Sequence, residues 1–345
     1  MKIVLLDGYT VNPGDISWEK IKELGEFTYY DRTGKDREEI IKRIGDNDIV
    51  ITNKTPIDSK TLDACPSIKY IALLSTGYNV VDVMKAREKG IPVSNIPTYG
   101  TDSVAQYAIA LLLELCHHIG HHGEEVRKGR WENTIDWCFW DYPLIELSGK
   151  TIGIFGFGRI GKRTAEIAKA LNMRVIVSGS DDRAYIDGEG WSHVRKKELF
   201  ENSDVISLHA PLNENTKNII NSETISLMKD GVLIINTARG GLIDEEALAS
   251  ALESGKVGGL GADVVSTEPI EPSNPLLKAK NCIITPHMAW GAKEARERII
   301  STTLSNIKAF MEGKPENLVN SITFSSTLKK VWNPGSIRLL LSALE

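Results

Sequence analysis

Cysteine is scarce in this chain of 345 residues. Cys65, Cys116, Cys138 and Cys282 are widely separated and form no C-x-x-C. That spacing argues against a zinc ribbon or a disulfide framework and points to reduced thiols in the cytoplasm. Long apolar runs are lacking too. The longest, Val104 to Cys116, is interrupted by Gln106 and Glu114 and is too short to span a bilayer. The opening Met1-Lys-Ile-Val-Leu-Leu-Asp7 turns polar too soon for a signal peptide. No membrane partner is expected. Net charge is −5 with no basic block, so nucleic acid is not an expected partner either. The chain has no G-x-x-x-x-G-K-[ST] phosphate loop, no G-x-S-x-G nucleophile elbow, no H-E-x-x-H and no cysteine in a nucleophile motif. It also has no solenoid-period repeat and no low-complexity tract.

What is present is an ordinary globular composition, 41% hydrophobic and 25% charged, at a length that suggests two domains. In the first hundred residues, short apolar runs recur at Ile3–Leu6, Phe27–Tyr30, Asp48–Thr52, Tyr70–Leu74 and Pro92–Ile96. Helical patterns lie between them at Trp18–Leu24, Glu38–Ile44, Asp58–Ala64 and Val81–Lys89. This alternation predicts βα units around a parallel sheet. The loop after the fourth run holds Thr76 and Gly77, whose consecutive N–H groups suit a carboxylate, although such a loop is commonly a plain turn. Ser103 and Gln106 have capping-box spacing, which predicts a helix start before the apolar stretch. That helix should be buried between two domains and run into His117-His118-Ile-Gly-His121-His122. The i,i+4 histidines there suit a polar helix end, and no carboxylate motif follows to complete a metal site. The aromatic loop Trp131 to Pro143 reads as local packing or as a subunit interface.

The chain is organised around Lys150-Thr-Ile-Gly-Ile-Phe-Gly-Phe-Gly-Arg-Ile-Gly-Lys-Arg163. Gly156, Gly158 and Gly161 form G-x-G-x-x-G, preceded by a strand-like run and followed by a helical pattern, the context that a dinucleotide fingerprint requires. The first glycine suits the tight turn, the second the approach of a pyrophosphate and the third close helix–strand packing. Six strand-like runs follow at Ile152–Phe155, Arg174–Val177, Val205–Leu208, Val232–Asn236, Gly259–Val265 and Cys282–Thr285, the count of a complete doubly wound dinucleotide sheet. The second run ends Val177-Ser178-Gly179-Ser180-Asp181-Asp182-Arg183. An acid that binds the ribose 2′-hydroxyl of NAD belongs near there, and its expected position is Gly179. Asp181 or Asp182 can substitute, whereas Arg183 suits the 2′-phosphate of NADP. The two carboxylates favour NAD and leave NADP open.

Three ionisable residues fall just past strand ends: Arg239, Glu268 and His287. Strand carboxyl ends share one edge of a parallel sheet, so the three can converge. Arginine grips a carboxylate through charge-assisted bonds worth about 1.5–3 kcal/mol each. Histidine titrates near neutral pH and can exchange the alcohol proton, and a carboxylate beside it fixes its tautomer. Singly, each has an ordinary structural role as its alternative.

On Gly156–Gly161, Asn236-Thr-Ala-Arg-Gly240, Asp263-Val-Val-Ser-Thr-Glu-Pro269 and Thr285-Pro-His-Met-Ala-Trp290, the chain resembles the D-isomer-specific 2-hydroxyacid dehydrogenase family from Met1 to about Asn320. Leu6–Gly14, Ser75–Val81, Ser103–Gln106 and His287–Trp290 resemble its glycerate dehydrogenase (hydroxypyruvate reductase) branch. The resemblance implies an α/β fold with two doubly wound parallel sheets, a Rossmann domain inserted into a flavodoxin-like substrate domain. The expected division is 1–100 and 292–320 for the substrate domain, 101–291 for the NAD(P) domain and 321–345 as an extension, in which Ile337–Leu341 suits a short helix. The resemblance further implies Arg239 as substrate-binding arginine, Glu268 as histidine partner, His287 as acid/base, and Thr76 and Gly77 at the substrate carboxylate. For the cofactor it implies Arg159 and Ile160 at the pyrophosphate, Ser178 and Gly179 at the ribose, His209-Ala210-Pro211 along its path, and Thr237, Ala238 and Asp263 near the nicotinamide. It implies a homodimer that reduces a small 2-oxo acid by hydride transfer. Hydroxypyruvate to D-glycerate is the favoured pair and glyoxylate a second substrate. D-lactate or 3-phosphoglycerate oxidation, and a dinucleotide-sensing regulator on the same fold, remain the alternatives.

Overall fold

The computed structural model describes residues 1–132 and 134–320. The anticipated helix at 337–341 lies outside them. The chain divides into two compact units, Met1–Tyr99 with the stretch from Lys293, and Gly100–Ala292.

The first unit alternates β1 (Lys2–Leu5), α1 (Glu19–Lys22), β2 (Glu26–Tyr29), α2 (Arg37–Ile44), β3 (Ile49–Thr52), α3 (Ser59–Ala64), β4 (Tyr70–Leu73), α4 (Val83–Glu88) and β5 (Val93–Ser94). All strands are parallel in the order β2-β1-β3-β4-β5, the flavodoxin-like arrangement. Strands β3 and β4 are buried along their whole length, and β2, at the edge, is the most exposed. That is why the inner strands read as continuous Ile, Val and Leu runs. Asp36, Asp58 and Asp82 cap α2, α3 and α4, each accepting a hydrogen bond from the backbone N–H three residues on. After the six α-helices of the second unit, the chain returns as α11 (Lys293–Met311). Phe310 of α11 stacks on Tyr70 with ring centres 4.4 Å apart. Arg296 of α11 holds Asp15 through two bonds of 2.7 Å and the carbonyl of Val11 at 3.1 Å.

The second unit begins with α5 (Thr101–His117) and α6 (Ile119–Arg127). It continues through β6 (Thr151–Phe155), α7 (Arg159–Ala170), β7 (Arg174–Ser178), β8 (Tyr185–Ile186), β9 (Ser192–His193), α8 (Lys196–Asn202) and β10 (Val205–Leu208). It closes with α9 (Ser222–Leu227), β11 (Val232–Asn236), α10 (Glu245–Ser254), β12 (Val257–Ala262) and β13 (Cys282–Ile284). Its sheet runs β13-β12-β11-β10-β6-β7-β9-β8 and is parallel except for the β8–β9 pair. All six expected runs form parallel strands, and two further strands extend the sheet: β9 pairs with β7 in the place of the third Rossmann strand, and β8 folds back on it. Each is only two residues long, which is too short for a periodic signal. Strand order reverses between β6 and β10, which creates the crevice where such sheets bind ligands.

Helix α5 also departs from expectation. It has no side-chain cap, and the Ser103 hydroxyl instead donates to the carbonyl of Ala289 at 2.6 Å. A tertiary acceptor thus replaces the capping box. The helix packs within the second unit, on β12 and α7. The glycines of β12 explain the seat: a Cβ on Gly261 would lie 2.9 Å from the Leu111 Cβ, and one on Gly259 3.2 Å from a Leu115 methyl. The helix ends at His118, whose φ of 47° turns the chain into α6.

Candidate active site

The β6–α7 turn positions the glycine motif. Gly156 has a φ of 97°, and a Cβ there would lie 2.4 Å from the backbone nitrogen of Ala210. Its N–H donates to the Ser178 carbonyl at 2.9 Å, so the turn draws the ends of β6, β7 and β10 together. A Cβ on Gly161 would lie 2.2 Å from the Gly156 carbonyl oxygen, hence the close seat of α7. A Cβ on Gly158 would meet nothing within 4 Å. Gly158 is also the N-cap residue of α7 and supplies no side-chain bond to its first turn. Open space before uncapped N–H groups is what an anion such as a pyrophosphate requires. Arg159 and Ile160 form the first turn of that helix.

The hydroxyls of Ser178 and Thr237, at the carboxyl ends of β7 and β11, are buried and find no hydrogen-bond partner among the described residues. Buried polar atoms of this kind call for an explanation. Together with the open approach at Gly158, they fit a dinucleotide laid across these strand ends. His209 follows β10, donates its N–H to Phe155 at 2.7 Å and shares a ring bond of 2.8 Å with Ser207. Its ring is enclosed, although part of the residue reaches the surface, and burial pushes its pKa down to about 4. Near Gly179, Asp182 is committed elsewhere, accepting the N–H of Lys196 at 2.6 Å.

The loop after β11 is folded by Asn236, which the sequence reading had not singled out as a working residue. Its buried amide donates to the carbonyl of Arg239 at 2.9 Å and accepts from the N–H of Ala238 at 3.0 Å. Arg239 itself is exposed and donates to the Ala238 carbonyl at 2.7 Å. The next residue, Gly240, admits no side chain: a Cβ would stand 1.9 Å from the carbonyl carbon of Val265. This contact brings the Arg239 turn against the loop that carries Glu268. Glu245, a first-turn acid of α10, holds that loop through the N–H and hydroxyl of Ser266 at 2.8 and 2.6 Å and the amide of Asn274 at 3.0 Å. In sequence it resembles any helix-start acid; only its tertiary partners mark it.

His287 and Glu268 meet directly, with the Nδ1 of His287 2.6 Å from an Oε of Glu268. Each is partly open to solvent, with side-chain exposures of 39% and 38%. A carboxylate at Nδ1 orients the ring with Nε2 as the nitrogen for proton exchange. Asp263 supports this pair from below: buried, it accepts from the Thr285 hydroxyl at 2.6 Å and the N–H groups of Met288 and Ala289 at 2.9 and 2.7 Å. Its carboxylate is spent within the protein, so any service to a cofactor is through the His287 loop. Ala238, Ala210 and Pro211 lie in these same strand-end loops.

The region from 109 to 289 matches the model of the D-isomer specific 2-hydroxyacid dehydrogenase, NAD binding domain. A hydroxypyruvate reductase of Blautia hydrogenotrophica is 56% identical over 321 residues, 93% of this chain and 100% of that protein. The chain belongs to the D-isomer-specific 2-hydroxyacid dehydrogenase family. A glycerate dehydrogenase of Methylorubrum extorquens is 38% identical over 93% of this chain and 99% of its own. Among solved structures, an acyclic imino acid reductase in complex with NADPH and D-Arg superposes with a TM-score of 0.77 at 35% identity, covering 92% of this chain and 100% of that one. The protein is accordingly an NAD(P)-dependent oxidoreductase that reduces 2-oxo acids to D-2-hydroxy acids.

Thr76 and Gly77 belong to the first unit. Both are exposed, and the loop is pinned by the Thr76 hydroxyl on the Ile96 carbonyl at 2.7 Å and by the Asn95 amide on the Thr76 carbonyl at 2.7 Å. A Cβ on Gly77 would meet nothing within 4 Å, so its backbone is accessible. The histidines that end α5 and begin α6 hold the aromatic loop: His121 bonds Asp141 at 2.6 Å, and His122 accepts the Asp141 N–H at 3.1 Å. Arg130, which grips the same carboxylate, and His121 hold Asp141 well below the usual carboxylate range. No helix among the described residues is long and apolar enough to cross a membrane. The cysteines are free thiols.

Proposed function

We propose that this enzyme reduces hydroxypyruvate to D-glycerate, accepts glyoxylate as a second substrate, and works as a homodimer in the cytoplasm. The observation that carries the chemistry is the 2.6 Å contact between His287 Nδ1 and Glu268. The substrate rests on the hydroxypyruvate reductase that is 56% identical along almost the whole chain. When bound, the reduced dinucleotide supplies the hydride. The chain's own residues do the rest. Arg239 grips the substrate carboxylate and polarises the 2-oxo oxygen, which a planar guanidinium does better than an ammonium. In the first unit, the exposed Thr76–Gly77 loop offers backbone N–H groups that suit a carboxylate. His287, oriented by Glu268 through Nδ1, gives its Nε2 proton to the alkoxide oxygen as it forms. Gly156–Gly161, Ser178, Gly179, His209–Pro211, Thr237 and Ala238 hold the dinucleotide. The dimer is supported by the aromatic loop, where Ile135 is 103% exposed, Trp137 88% and Trp140 62%. Apolar surface of that extent is what a subunit interface covers.

The test follows the near-ultraviolet band of the reduced cofactor with purified protein, hydroxypyruvate and NADH. Steady oxidation, faster than with pyruvate or glyoxylate, is expected. Cofactor binding without oxidation on any 2-oxo acid would overturn the reading in favour of a nucleotide-sensing regulator. Light scattering of the eluted protein should give twice the chain mass, and a monomer would refute the dimer.

A further inference from the structure

The residue after the last position of β7 is Gly179, so this chain has no side chain where a Rossmann domain sets its ribose-binding acid. We infer that Asp181, reaching back over Ser180, supplies that carboxylate and makes the enzyme selective for NADH over NADPH. This rests on the nucleotide-binding half of the reading above and is independent of the substrate. An ideal Cβ built on Gly179 stands 3.3 Å from an Oδ of Asp181. That is close to the separation between a glutamate's own Cβ and its carboxylate oxygen, so the charge lies within reach of the ordinary place while springing from a different residue. Gly179 makes this feasible, since any side chain there would crowd the Asp181 carboxylate.

The placement is built rather than incidental. Tyr185 of β8 lies near Asp181, and its ring stacks on His193 of β9 at 4.3 Å. His193 is 8% exposed, bonds Asp187 at 3.0 Å and sits in a strand paired to β7. The tip of the hairpin is strapped to α7 by the ion pair of Lys162 with Glu189 and by the Lys169 ammonium over Trp191 at 5.4 Å. Asp182 is occupied by the N–H of Lys196, which leaves Asp181 as the acid of the pair that faces Gly179. A carboxylate there accepts from the ribose hydroxyls, whereas a 2′-phosphate would bring like charges together; the nearby Arg183 is the one sequence feature pulling the other way.

The test is titration of protein fluorescence by NADH and by NADPH with no 2-oxo acid present, so that it reads binding alone. The wild type should bind NADH at least about tenfold more tightly than NADPH. D181N keeps the shape and removes the charge, and should lower that preference by about tenfold. G179D/D181S moves the acid to the strand end and should restore it, which a merely structural role for Asp181 would not allow. A preference unchanged in D181N, a wild type that favours NADPH, or failure of G179D/D181S to recover selectivity while remaining folded would each overturn the proposal. Intact selectivity with no turnover of hydroxypyruvate would leave Asp181 in its role and remove only the substrate assignment. Failure of both cofactors to bind would remove both.

Discussion

His287 adopts a φ of 53°, a region that a side chain of its size rarely occupies. The conformation persists because the surrounding bonds over-determine it: its N–H reaches the Thr285 carbonyl at 2.9 Å, and Asp263 holds the two residues that follow. Such a backbone sets the direction of the Cα–Cβ bond, and the Glu268 contact orients the ring. Removing the proton donor while keeping the length is therefore expected to act on chemistry alone. His287→Gln should lower kcat by about a hundredfold or more and leave the NADH dissociation constant within twofold; an unchanged kcat would remove His287 from the reaction. His209 makes a separate prediction, on stability. Its ring stays neutral in the folded protein until the pH nears about 4, while the unfolded chain protonates near 6.5. Between those values the unfolded state binds the additional proton, so stability is complete above about pH 6.5 and falls as the pH drops toward 4, by at most about 1.4 kcal/mol per pH unit. Urea midpoints at pH 7 and pH 5 should differ less in His209→Asn than in the wild type, and an identical difference would acquit the residue.

At the scale of elements, glycines determine how closely one piece of chain approaches another. The Gly240 turn meets the backbone at Val265 with no room for a Cβ, whereas Gly123, exposed in α6, faces nothing within 4 Å. The same substitution should therefore act in opposite directions. Gly240→Ala forces backbone apart and should cost about 1–3 kcal/mol together with a fall in kcat/KM, because the Arg239 turn moves. Gly123→Ala relieves helix entropy and should gain up to about 1 kcal/mol with activity intact. Thermal melts and initial rates check both, and a Gly240→Ala protein that is as stable and active as the wild type would refute the packing argument. At this scale local sequence pattern carries the least information about short or tertiary-held elements. The apolar runs of β1, β3, β4, β6, β10 and β11 were legible because strands buried on both faces must be apolar throughout. The strands β8 and β9 were not, since two residues hold no period. The spacing of Ser103 and Gln106 suggests a cap, because local spacing cannot reveal that the Ala289 carbonyl, far along the chain, competes for the Ser103 hydroxyl.

For the whole molecule, the two units have separate sheets and separate cores, and the dinucleotide motif lies in one of them. A ligand that binds only the folded state stabilises it by mass action, about 2.7 kcal/mol at a hundred times its dissociation constant. NADH should accordingly raise the melting temperature and slow amide exchange chiefly within 100–292, at the loops around 156–161, 209–211 and 237–240. Protection confined to the first unit would contradict the assigned site. The sequence by itself determined the alternation of strands and helices, the glycine turn before a helix, and the residue types suited to carbonyl reduction, because these follow from periodicity and local backbone demands. Arg239, Glu268 and His287 were legible because each ends an apolar run, and parallel strands put such ends on one edge. Only the tertiary structure decided which distant groups work together: Glu245 on the Glu268 loop and Asp263 beneath His287. Those partners are brought together across whole βα units, and no local preference encodes a contact that exists only once the sheet has brought its strand ends together.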